Sequence, residues 1–354
     1  MYSENDISYF ARLLRSGLKP AYTPTIGGKI STQAWENIFR TAVGQGVCAV
    51  VWDGIGHLPG EQQPPRDIRL RWALTTEEQE KRYRRQQEKA AKMAAVFAEN
   101  GIRMLVLKGL GLSRDYPVPA HRECGDIDIY LFGESDRGDR LLQQMGAHLY
   151  FDVPKHSEYT WDGIQIENHR TILNVRRNRT ERELNALLVR LLEEEGTCEI
   201  GENTAAPPAT FNAIYLIRHA AVHYQKEGIA VRHLCDWACF LERHRHEIDL
   251  PLFHKTLAAY RLDRFAALMT AAAVRHLGAE IPEPEYDAGT LKRFMQEVYA
   301  MKPMPTRGMP KLYFKLFGPL HNRWRLRNVL RSSPWRYYYD TIRAQWNEKF
   351  TLFR

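Results

Sequence analysis

The chain has 354 residues, enough for two or three domains and a sizeable core, and its 44% hydrophobic and 26% charged content is ordinary for a globular protein. No apolar run approaches the ~18–20 residues that span a bilayer, and the opening MYSENDISYF carries two acids and no basic cluster, so the expectation is a cytoplasmic protein without a secretory signal. The net charge of +8 is uneven: residues 301–354 hold twelve Lys or Arg against two acids, which leaves the remainder slightly acidic.

Residues 1–100 read as a helical region. Ser31 is placed to cap a helix through Trp35, Ile38 and Phe39, and Thr76 before Glu77 and Glu78 suggests the start of a long charged helix that Gly101 ends. Over 101–200 the pattern changes to a small α/β core. IRMLVL (102–107) is a short buried strand, GLGLSRDY a turn and short helix stopped by Pro117 and Pro119, and GDIDIYL (125–131) a strand by its alternation. A helix near 134–145 ends at Gly146. AHLYFDV, SEYTWD and IQIENHRTI follow as three strands, with Asp162-Gly163 as a hairpin turn between the last two. GENTAAPPAT (201–210) reads as a linker into a helical substrate domain over 201–300, itself broken at IPEPEYD (281–287). The tail, 301–354, has Pro303, Pro305, Pro310, Pro319 and Pro334 among aromatics, so its helices are expected to be short. The fold class is therefore α+β. Five scattered cysteines with no CxxC pair read as reduced, mostly buried thiols.

Chemistry concentrates around residues 108–169. Asp126 and Asp128 stand two apart on a strand, which puts both carboxylates on one face about 6.6 Å apart at Cα, close enough to converge on hard cations such as Mg²⁺. Glu167, two strands later, is the natural third carboxylate, while Ile127 and Ile129 face the core. Three acids on a buried sheet are expensive without cations or basic partners. Lys108-Gly109, between a strand and a helix start, is the arrangement of a phosphate cradle. Arg122 suits either a phosphate oxygen or a neighbouring acid. His219 and His223, four apart on a helix with Glu227 four further on, have metal-ligand spacing, but no HExxH is present, and packing or contacts in a substrate cleft is the preferred reading. Asp236 is expected to bond helix termini or Arg232.

The run VLKGLGLSRDYPVPAHRECGDIDIYL followed by QIENHR resembles the uncharacterised bacterial nucleotidyltransferase family of the polymerase-β-like superfamily, and RHAAVHYQKEGIAVRHLCDWACFL extends the resemblance to about residue 240. The resemblance implies a nucleotidyltransferase core with Mg²⁺ or Mn²⁺ and an NTP donor, ATP being the expected one. It implies Asp126, Asp128 and Glu167 as catalytic and metal-binding carboxylates, with Lys108, Gly109, Arg122, Gly125 and His169 around the nucleotide. More typical superfamily members carry Gly-Ser where this chain has Lys108-Gly109.

Three other readings compete. Gly109-x-Gly111 after a strand suggests a dinucleotide fingerprint, but Arg114 takes the third glycine position and Pro117 cuts the helix. GLSRDY with GDIDIY also resembles the pattern of template-independent, tRNA-type RNA nucleotidyltransferases. A non-catalytic nucleotide-binding module of the same fold is the third. The aromatic and basic tail over 301–354 suits packing on the helical domain, stacking on a nucleic acid, or an anionic membrane surface.

Overall fold

The computed structural model describes residues 4–300 and 322–349. Helices α1 (Glu4–Leu18), α2 (Thr32–Gly44), α3 (Cys48–Gly56) and α4 (Arg66–Glu99) open the chain. Ser31 caps α2, its side chain accepting from the Ala34 amide. The long helix does not start at Thr76. It starts at Arg66, directly after Pro65, and Thr76 is buried in its middle on one stripe with Ile68 and Trp72. The apolar spacing of that stripe carries the helix back past the acidic pair that suggested a terminus. Gly101 ends α4 in the left-handed region, φ 70°. The Ile102 amide donates to Phe97 O at 2.8 Å and the Gly101 amide to Ala98 O at 2.9 Å, the paired bonds of a Schellman closure.

A seven-stranded mixed sheet follows, built from β1 (Met104–Val106), β2 (Asp126–Tyr130), β3 (His148–Asp152), β4 (His156–Trp161), β5 (Ile164–His169), β6 (Cys198–Gly201) and β7 (Thr204–Ala206) in the order β3-β4-β5-β2-β1-β7-β6. Helices α5 (Leu110–Ser113), α6 (Ser135–Gln144) and α7 (Arg179–Glu194) lie between strands. β2 pairs parallel with β5 and antiparallel with β1. Asp162 and Gly163 join β4 to β5 with φ of 49° and 78°, the left-handed pair a two-residue hairpin needs. The segment expected as a linker from Gly201 instead enters a second hairpin. β6 and β7 pair antiparallel, and β7 lies parallel beside β1. Its small residues, Thr204-Ala205-Ala206, lack the bulk that signals a strand, so β1's open edge rather than local propensity makes it one.

The two faces of the sheet belong to different cores. Val106, Ile127, Ile129, Tyr159 and Ile166 pack with Met93 and Phe97 of α4. On the other face Leu105 and Tyr130 enter a larger core, shared by α1–α3 with α8 (Ala209–Lys226), α9 (Val231–His244), α10 (Leu250–Ala259), α11 (Asp263–Leu277) and α12 (Ala288–Tyr299). α13 (Pro334–Lys349) has 16 residues, longer than the prolines suggested, because Pro334 stands at its first position, where a missing N–H removes no helical bond. Before it, Leu326 and Val329 are buried in the larger core and Arg325 Nε lies 2.5 Å from Glu297. Of the tail aromatics, Tyr313, Phe314, Phe317, Phe350 and Phe353 lie outside the described residues. Among the described residues no helix is long and apolar enough to cross a membrane.

α1 and α3 cross through reciprocal glycines. A Cβ on Gly17 would stand 1.8 Å from Val50 O, and one on Gly54 would stand 1.9 Å from Leu13 O. Alanine is intrinsically the better helix former by ~1 kcal/mol, so only the crossing opposes it. Gly54→Ala is expected to lower unfolding stability by about 1–3 kcal/mol through forced separation of the helices. Gly56→Ala in the same helix, where nothing lies within 4 Å, is expected to lose none. Urea midpoints of the two variants check this.

Candidate active site

Alternation along β2 sends Ile127 and Ile129 into the core beneath α4 and turns Asp126 and Asp128 to the opposite face. The parallel register then sets Asp128 level with Glu167, and β4 brings Glu158 level with Glu167 and His156 level with His169. Six ionisable side chains from three strands therefore share one face. The β4 pair was missed in the sequence. Its signal was the alternation in SEYTW, where Ser157, Tyr159 and Trp161 are buried and Glu158 faces the other way.

Asp128 is the most confined member, with no exposed side-chain surface. Its Oδ1 accepts from His169 Nε2 at 2.9 Å and lies 3.0 Å from Lys108 Nζ. Burial alone would raise this carboxyl, but the Lys108 ammonium and the His169 hydrogen bond outweigh it and hold it well below the usual carboxylate range. Lys108 in turn is half-buried, and the desolvation opposes its charge, but Asp128 more than compensates, so its ammonium is held more firmly than usual. His169 Nε2 also lies 3.3 Å from Glu167 Oε2. Since ionised carboxylates only accept, that nitrogen carries the proton and bridges the two acids. Burial raises Glu167, and the His169 bond overrides it to leave the carboxyl lower than normal. Asp126 behaves in the opposite way: the Asp128 charge beside it, and then burial, push it up to about 6.

Asp128 Oδ2 is buried with no hydrogen-bond partner. An orphaned carboxylate oxygen is costly, and Asp128 has a second carboxylate near it, a Glu167 oxygen lying within 4.8 Å of one of its own. The carboxylates supply oxygen, the donor type of hard divalent cations.

Beside Asp126 opens a cleft of about 650 Å³. Lys108, Gly109, Gly125 and Asp126 form the sheet-side wall, and His219, His223, Arg232 and His233 of α8 and α9 form the other. Gln45, in the turn between α2 and α3, completes the rim. It is buried, accepts the Val231 amide on its side chain at 2.7 Å and donates to Val298 O at 3.1 Å. The N-terminal helices thus wall the cleft, which no local pattern in residues 1–100 announced.

Gly109 has φ 58° and ψ −109°, and a Cβ there would meet Asp126 O at 3.2 Å. The glycine therefore permits close approach between the 108–109 turn and β2 itself. Of the two readings of Arg122, the structure takes the acid. Its guanidinium is buried and bidentate to Asp236, Nε to Oδ1 at 3.0 Å and Nη2 to Oδ2 at 2.8 Å, while Tyr116 donates to the same carboxylate at 2.7 Å. Asp236, expected on helix termini or Arg232, is instead the anchor that ties the β1–β2 connection to α9. Arg232 reaches Glu123 O at 3.3 Å. His219 and His223 line the cleft, and His233 of α9 joins them.

A family described as uncharacterised nucleotidyltransferase matches residues 31–278. No curated protein and no solved structure matches. The matched stretch runs from the cap of α2 to the end of α11 and takes in both walls of the cleft, the carboxylate face and the Arg122–Asp236 clamp. The chain belongs to the uncharacterised nucleotidyltransferase family.

Proposed function

We propose that the protein transfers a nucleotidyl group from an NTP to a hydroxyl of an acceptor, with Asp126, Asp128 and Glu167 as the carboxylates of a Mg²⁺-dependent centre. The observation that carries the reading is the orphaned, buried Oδ2 of Asp128, on a side chain level with Glu167 and on the same strand face as Asp126, which itself lines a cleft large enough for a nucleotide. The residues fit a hard cation: the donors are carboxylate oxygens, two of them held ionised by Lys108 and His169. Bound there, Mg²⁺ supplies charge neutralisation for the donor's phosphates. Asp126 and Asp128 hold it, and His169 fixes the rotamers of Asp128 and Glu167. The acceptor oxygen forms a bond to the α-phosphorus as the bond to the β-phosphate oxygen breaks and pyrophosphate leaves. Glu167 is the carboxylate we assign to receive the hydroxyl proton. Lys108 and Gly109 line the cleft beside Asp126, where the lysine gives the donor phosphates a cationic contact.

The direct test is incubation of the protein with labelled NTPs, Mg²⁺ or Mn²⁺ and an acceptor-rich extract, followed by mass spectrometry. Asp128→Asn is expected to cut turnover by at least ~10³, about 4 kcal/mol of transition-state stabilisation, with folding intact. Activity within tenfold of the parent sinks the carboxylate assignment.

Lys108 separates two roles. As Asp128's counter-ion it competes with a divalent cation, and as a cleft residue it attracts phosphates. Lys108→Ala is expected to tighten Mn²⁺ binding, read by electron paramagnetic resonance, and to raise the KM for nucleotide more than it lowers kcat. Gly109→Val is expected to impair both, since its side chain displaces the Asp126 backbone.

Cation binding is also expected to depend on pH in a fixed direction. Asp126, raised to about 6, is protonated below that pH in the free protein and must lose its proton to become a ligand. Mn²⁺ affinity therefore rises as pH increases from about 5 to 7, and in Asp126→Asn that dependence flattens. A titration at several pH values measures it.

A further inference from the structure

Across the cleft from Asp126 stands a second set of donors that the proposed reaction does not use. His219 and His223 lie one turn apart on α8, and His233 lies in the first turn of α9. One ring nitrogen from each falls within 4.8 Å of the other two. The imidazoles form a closed triangle, with ring centroids 4.6 Å apart for His219 and His223, 5.5 Å for His223 and His233, and 6.2 Å for His219 and His233.

Two of the rings have their tautomers fixed from behind. His223 Nδ1 lies 2.8 Å from Glu227 Oε1, and His233 Nδ1 lies 3.2 Å from Ala230 O. The carbonyl can only accept, so His233 carries its proton on Nδ1 and leaves the Nε2 lone pair free. The Glu227 carboxylate does the same for His223. A ring whose far N–H is bonded to a carboxylate or a backbone carbonyl is oriented as metal-ligating histidines are. Burial reinforces this, because it disfavours the charged form of both His219 and His233 and keeps their lone pairs available.

We propose that His219, His223 and His233 form a binding site for a divalent transition-metal ion of the zinc type, distinct from the carboxylate centre. Zn²⁺ takes imidazole nitrogens at ~2.0–2.1 Å in tetrahedral sites, which sets them about 3.4 Å apart. The present spacing closes to that with small rotations of the rings. Three protein ligands leave a coordination position open, and the site faces the same cleft as Asp126. Neutral imidazoles suit borderline-soft ions, whereas the carboxylates opposite suit Mg²⁺.

The experiment is a Co²⁺ titration of the full-length protein, followed by optical absorption and competition with Zn²⁺. Co²⁺ at a nitrogen-rich four-coordinate site gives an intense visible ligand-field spectrum that an octahedral oxygen site does not. One equivalent with that spectrum, displaced by Zn²⁺, is expected. His219→Asn and His233→Gln are each expected to abolish it. Glu227→Gln, which leaves all three ligands in place, is expected to weaken binding by ~10–100-fold. Asp128→Asn is expected to leave spectrum and affinity unchanged, which separates this site from the carboxylates. Absence of the spectrum in the parent, its survival in both histidine variants, or its loss in Asp128→Asn overturns the proposal. If the histidine variants fail to fold, Glu227→Gln decides, and an unchanged affinity there overturns it as well.

Discussion

A carboxylate without exposed surface needs a counter-charge, and Asp128 is that constraint in this protein. Its position on β2 is dictated by the same alternation that buries Ile127 and Ile129, so the chain cannot move the acid outward without losing its core. What compensates is local: an ammonium at 3.0 Å and an imidazole N–H at 2.9 Å, both on Oδ1. The two oxygens of one side chain are therefore treated differently, one saturated and one left bare. An arrangement that served stability alone would satisfy both.

The rest of the architecture builds a cleft beside that strand face, with Asp126 in its lining. The sheet provides one wall, and helices that precede and follow it in the sequence provide the other. Gln45 joins the α2–α3 turn to α9 and α12. The Arg122–Asp236 pair with Tyr116 joins the β1–β2 connection to α9. Buried ion pairs return little net stability compared with apolar packing of the same volume. The role left for this one is geometric: it fixes how far α9 stands from the carboxylate strand, and hence the width of the cleft.

Much of this was legible in the sequence where the signal is local. DIDIY declared a strand with acids on one face, Asp162-Gly163 declared the β4–β5 hairpin, and Ser31 and Gly101 declared helix ends, because each depends on residues within a few positions. The misreadings fall where distant partners decide. Thr76 looked like a cap but is buried by α4's tertiary stripe. Thr204-Ala205-Ala206 looked like a linker but completes β1's edge. Arg122 had two readings, and only the fold could bring Asp236, more than a hundred residues away, to its guanidinium. His233 carried no signal beside Asp236 until α9 laid it against α8. The carboxylate face was half visible: β2 and β5 were read, while Glu158 and His156 required the β4 register.

The separation of donors across the cleft follows from what each wall is made of. A strand offers side chains at every second residue on a rigid pleat, which suits short carboxylates held level by parallel register. A helix offers side chains four residues apart with rings stacked along one face, which suits imidazoles. The Irving–Williams order favours a late transition metal over Mg²⁺ at nearly any site, so in the two sites we propose it is donor type and geometry, not affinity alone, that would keep the ions apart. On the sheet side the charge already supplied by Lys108 raises the threshold for any cation, and the oxygen-only carboxylates favour one that arrives with phosphates attached. On the helical side there is no lysine to displace, and burial disfavours the charged forms of His219 and His233. The two walls therefore differ in what they exclude as much as in what they hold, and that difference is set by the elements that carry them.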